Sequence, residues 1–137
     1  MNSTEAHTRP VAPLDLKRLG WATLAALIVN LIVYAAGSAT GATWIANGQT
    51  VGWYLVVIAT ALSMAVGGAI TFLLARRWSR ATVVMAWVGL AFALVSVPSP
   101  ILASDAASTG WSLAAMHAVT GVVWFVAVHP RSTRSTA

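Results

Sequence analysis

The chain has 137 residues, 58% of them hydrophobic and 8% charged, with a formal net charge of +5 and no cysteine. Soluble domains carry about half apolar and about a quarter charged residues, so water is not the main solvent here, and the chain is read as a single domain embedded in lipid. The missing cysteine excludes disulfides, thiolate metal sites, iron–sulfur clusters and cysteine nucleophiles. The basic residues sit in short segments beside apolar runs, which makes them topology signals and not a nucleic-acid footprint.

Residues 1–18 form a polar tail carrying Arg9, Lys17 and Arg18. The first apolar stretch, Leu19 to Ala39, has about the 20 residues needed to cross about 30 Å of hydrocarbon as a helix. A secretory signal competes for it, because Lys17 and Arg18 precede an apolar run ending in Ala35, Ala36, Gly37, Ser38 and Ala39. A signal core runs about 7 to 15 residues and this run is longer, so a retained span is favoured.

The loop Thr40 to Thr50 sets Gly41, Asn47 and Gly48 around Trp44 and Ile45, a pattern compatible with a short hairpin or a simple turn. A second stretch, Val51 to Ala75, ends in Arg76, Arg77 and Arg80. The third, Ala81 to Val97, is short, and Pro98 and Pro100 are expected to stop it. After the loop Pro98 to Thr109, in which Asp105, Ser108 or Thr109 is expected to cap the next helix, the fourth stretch runs from Gly110 to Val128. Residues 129–137 are a second tail, with Arg131 and Arg134.

The predicted fold is therefore all-α: a polytopic four-transmembrane-helix bundle over residues 19–128. All 8 Lys and Arg residues fall in the two tails and the second loop, so the positive-inside rule puts those segments in the cytoplasm of a multi-pass cell-membrane protein. Trp21, Trp78 and Trp124 are expected at the inner headgroup boundary, and Trp44, Trp53, Tyr54 and Trp111 at the outer one. Trp87 lies deeper and reads as a packing residue.

At 100° per residue each span shows one stripe of small or polar residues, the way membrane helices bring their backbones close. The stripes are Ala26, Asn30, Tyr34 and Gly37; Thr60, Ser63, Gly67 and Thr71; Thr82, Ala86, Gly89, Ala93 and Ser96; and Gly110, Ala114, His117, Gly121 and Trp124. Gly67, Gly68, Gly89 and Gly121 are expected to be close helix contacts. Matching depths suggest a polar cluster of Asn30, Tyr34, Thr60, Ser63 and His117 in the outer half, the candidate ligand-binding site. An ionisable residue at such depth is a functional candidate because it is costly there, while His is also an ordinary interhelical hydrogen-bond partner. No second His, Asp or Glu lies within a span, so no metal and no cofactor are expected. Asp105 reads as a helix cap, and the arginines of the second loop as a topology signal with anionic-lipid contact as a secondary role.

An Asn in the first span, a Gly-rich second span ending in an Arg-rich loop, Ser96 with Pro98 after the third and Met116-His117 in the fourth together resemble a known pattern. The chain is similar, over about Leu16 to Pro130, to an actinobacterial membrane family known only as domain of unknown function 6069. The resemblance implies that Met116-His117 is a recurrent pair. It implies no activity, and the Pro98-Ser99-Pro100 sequence departs from the single proline expected there.

Three function classes follow. The first is a non-enzymatic membrane component that contacts lipids, a membrane partner protein or a second copy of itself. The alternative is a protein that binds or transports a small molecule, lipid or proton, with His117 as the switchable group. An enzyme is the third; without a nucleophile elbow, zinc motif, paired carboxylate or phosphate-binding loop, His117 and Asp105 have no third partner to define a reaction, and no catalytic residue is assigned.

Overall fold

A computed structural model of the chain describes residues 14–131; Arg9 and Arg134, read above as topology signals, lie outside the described residues. The elements are α1 (Leu16–Ala39), β1 (Ile45–Ala46), β2 (Gln49–Thr50), α2 (Trp53–Ala75), α3 (Ala81–Ser96), α4 (Pro98–Ala103) and α5 (Ala107–Val128). They form an all-α four-helix bundle, with α3 and α4 sharing one 23-residue apolar stretch, and all four helical stretches are long and apolar enough to cross a membrane.

α1 starts earlier than its apolar run because Asp15 caps it, its carboxylate accepting the Arg18 N–H at 3.0 Å. α3 ends at Ser96 with Val97 as its C-cap, within one residue of the expected stop, and the prolines open a further short helix where the sequence reading expected a loop. Val97 keeps helical dihedrals (φ −54°, ψ −42°) and the chain passes straight into α4. Proline lacks the N–H but fits helical φ, and Pro98 and Pro100 fall in the first turn of α4, where an N–H has no partner within the helix; Ser96 Oγ donates to Ala93 O at 2.7 Å and Ser104 Oγ to Pro100 O at 2.7 Å within the same stretch.

Of the two readings of the first loop, the hairpin forms. Ile45 pairs with Thr50 and Ala46 with Gln49, and the turn uses Asn47 (φ 50°) and Gly48 (φ 71°), the Asn-Gly pair that supplies both positive φ angles of a tight hairpin. The hairpin is pinned to the α4–α5 connection by Asn47 N–H to Ala103 O (2.8 Å) and Asp105 N–H to Ile45 O (3.2 Å). Asp105, Ser108 and Thr109 do not cap α5. Its N-cap is Ala106, without a side-chain bond, and because α5 begins at Ala107 the Thr109 hydroxyl falls inside the first turn, where it accepts the Trp44 N–H at 3.0 Å.

α5 is the centre of the bundle, packed chiefly against α1 on one side and α3 and α4 on the other. Near its end, Trp124 is wedged between α2 and α3: a Cβ at Gly67 would lie 2.8 Å from the indole, and one at Gly89 would overlap its Nε1 edge. Gly89 thus opens the approach through which Trp124 Nε1 donates to Met85 O at 2.9 Å. Gly68 lies against Leu19 and Gly121 against Ala93, so the glycines singled out in the sequence sit at close helix contacts.

Trp124, buried to 5% exposure, takes the interior place that its stripe gave it and not the headgroup place also expected of it. Trp44 is also buried, stacked on Tyr34 with centroids 4.0 Å apart, whereas Trp21, Trp53, Tyr54, Trp78 and Trp111 are exposed. Trp87 touches Phe125 edge-on but is exposed, so it is not the deep packing residue expected.

Gly89→Ala is expected to lower unfolding stability in detergent by about 1–3 kcal/mol, the range for overpacking a tight core, with a matching loss of Trp124 fluorescence protection. An unchanged melting temperature would show that the indole does not occupy the Gly89 face.

Candidate functional site

The interior polar groups meet where α1, α2 and α5 face one another. Asn30, 1% exposed, has both amide hydrogens engaged: Nδ2 donates to Thr60 Oγ1 at 2.9 Å and to Thr120 Oγ1 at 3.0 Å. Thr120 in turn donates to Met116 O at 2.8 Å within its own helix. One side chain thus ties three helices. Such bonds hold membrane helices together because an unpaired polar group in hydrocarbon is costly. Asn30 Oδ1 is buried and has no protein partner among the described residues, leaving one acceptor unused.

Only Asn30 and Thr60 of the expected cluster come together. Tyr34 belongs to the hairpin end, where its ring stacks on Trp44 and its hydroxyl approaches Val51 O at 3.4 Å; the same indole donates to Ser38 Oγ at 2.9 Å. Ser63 is exposed and donates to Thr60 O of its own helix at 3.0 Å. His117 is exposed too. Its Nδ1 lies 2.8 Å from Leu113 O one turn back on α5, so it reaches no member of the cluster.

The reason lies in how α5 packs. A helix covered on one side presents one stripe, but α5 is covered by α1 and by α3–α4, and so it buries two. Thr109, Met116 and Thr120 turn toward the α1 and hairpin side, and Gly110, Ala114 and Gly121 toward α3 and α4. Single-stripe reading took His117 and passed over Thr120. The available signal was Thr120 itself, a hydroxyl in an apolar run with a depth matching Asn30.

At the opposite end from the hairpin, Arg18 reaches across to the end of α5. Its guanidinium donates to His129 O at 3.0 Å and to Val126 O. A cation at a helix C-terminus satisfies orphan carbonyls and complements the helix dipole. Arg18, read in the sequence as a topology signal, is therefore also the clasp between α1 and α5.

A double-mutant cycle of Asn30→Ala with Thr60→Val is expected to give a coupling of about 0.6–1.7 kcal/mol, the span measured for polar pairs between membrane helices. The cycle of Asn30→Ala with His117→Leu is expected to give none. Equal coupling in both would put His117 back in the cluster.

A family model described as a family of unknown function (DUF6069) matches residues 11–134. No curated protein and no solved structure matches the chain.

Proposed function

We propose, from the premise that this chain belongs to the DUF6069 family and inherits no assigned activity from it, that it is a non-enzymatic multi-pass component of the cell membrane. It works through its lipid-facing exterior, by contact with lipids or with a partner membrane protein that includes a second copy of itself. The observation that carries this reading is the division of polar groups: the Asn30 amide Nδ2, Thr60 and Thr120 are engaged in joining helices, while His117 stands exposed on α5. A polar ring on a lipid-facing surface is costly. With Nδ1 engaged by Leu113 O, Nε2 remains for a hydrogen bond from whatever covers that face.

Orientation follows from the arginines. Arg18 at the start of α1, Arg76, Arg77 and Arg80 between α2 and α3, and Arg131 after α5 gather at the end of the bundle away from the hairpin, which supports placing both tails in the cytoplasm. The chain has no cysteine, so single-cysteine labelling reads this directly. A cysteine at Gly48 is expected to react with an impermeant reagent on intact cells, and one at Ser79 only after lysis; the reverse pattern inverts the topology.

His117→Leu is expected to weaken association with the partner by about tenfold, the worth of one interhelical polar contact of roughly 1–2 kcal/mol, while thermal stability of the bundle is unchanged. Native mass spectrometry of protein extracted in mild detergent measures it. Loss of a bound small molecule in place of a protein or lipid mass would favour the alternative, in which His117 serves binding or transport; identical spectra for variant and wild type would refute a role for this face.

A further inference from the structure

Where α1 and α3 begin and α5 ends, the bundle holds a cavity of about 200 Å³ lined by Leu14, Asp15, Arg18, Thr82, Ala127, Val128, Pro130 and Arg131. From its walls we infer that it binds a phosphate group, as carried by the headgroup of an anionic phospholipid or by free phosphate. The inference deepens the proposed reading, on which it rests, by naming the chemistry that one end of the bundle recognises.

The first wall is the start of α3. Its N-cap, Arg80, makes no side-chain cap bond. The amides of Ala81 and Val84 are bonded back to Trp78 and Arg80, whereas those of Thr82 and Val83 have no backbone acceptor among the described residues. Unpaired amides at the positive end of a helix attract anions. Independently, the Thr82 side chain is only 5% exposed and lines the cavity without a hydrogen-bond partner among the described residues. A phosphate oxygen within the cavity would accept the proton of this hydroxyl in a charge-assisted hydrogen bond.

The other walls supply charge. Arg18 commits two of its N–H groups to the carbonyls of Val126 and His129, which fixes the guanidinium in place, and three of the five donors of an arginine remain. Arg131, exposed just after α5, also lines the cavity. Asp15 opposes an anion, but its Oδ1 is turned to the Arg18 N–H as the α1 cap, so the lining keeps an excess of positive charge. A water claims about 30 Å³, so the cavity has room for a phosphate and the first atoms of an ester. It lies at the ends of the helical stretches, the level of lipid headgroups in a bilayer.

The test uses the full chain in mild detergent, with phosphatidylglycerol, phosphatidylcholine or inorganic phosphate added, read by native mass spectrometry and thermal shift. Thr82→Val and Arg131→Gln are the variants, since neither removes a packing contact or the Arg18 clasp, and circular dichroism checks their fold. The expected result is retention of phosphatidylglycerol over phosphatidylcholine, with about tenfold weaker binding in each variant. Stabilisation by inorganic phosphate that both variants abolish, without any lipid preference, would assign the same site to free phosphate. Equal retention of the two lipids with no phosphate effect, or variants that bind as wild type does, would overturn the inference. Alkaline carbonate washing of membranes separates the two levels: a chain that washes off refutes the membrane reading itself, while one that stays but shows no headgroup preference refutes only the phosphate site.

Discussion

The Trp124 indole, wedged between Gly67 of α2 and Gly89 of α3 and bonded to Met85 O, is the contact on which the rest of the bundle depends. Lipid supplies no hydrophobic drive between helices, so shape and hydrogen bonds must set their spacing. A large ring on α5 can enter only where the facing helices lack Cβ atoms, and those glycines are placed to receive it. Four residues earlier on α5, about 6 Å along the helix, Thr120 meets Asn30, which also holds Thr60. A packing lock at one depth and a polar tie at another fix both the distance and the rotation of α5 against its neighbours.

The architecture was largely legible because it is written in hydropathy, proline, glycine and charge. The spans and the arginine-marked loops needed only length and composition, and the glycine contacts only the requirement that backbones approach. The prolines at positions 98 and 100 marked the end of α3 correctly but also read as the start of a loop, whereas a proline in the first turn is compatible with a new helix, and α4 begins there. Trp124 and Trp44 misled in another way. An aromatic ring near the end of an apolar run reads as a headgroup anchor, yet both rings fill the core, since glycines opposite one and Tyr34 beside the other make rooms for them.

The candidate site was legible only in its first half. Asn30 and Thr60 lie on helices that each have one clear buried stripe, and the structure joins them. Tyr34, Ser63 and His117 share depth or spacing with that pair, but depth does not settle direction, and local bonds decide: Tyr34 turns to the hairpin, and Ser63 and His117 bond their own helices. The cavity beside Thr82 escaped sequence reading entirely, because its walls come from chain segments separated by most of the length of the molecule.

That last fact bears on the connectivity of the fold. α1 and α5 lie side by side, the Arg18 clasp joins the start of one to the end of the other, and Leu14 and Arg131 border the same cavity. The described chain is thus nearly a closed ring, with its seam at a place already held by hydrogen bonds. α2 packs less closely against α3 than against α1, and the two are joined by the short turn through Arg77 and Ser79. A circular permutant that links Leu14 to Arg131 and opens that turn is expected to keep every contact of Trp124 and Asn30, which would separate the order in which the helices leave the ribosome from the structure they reach.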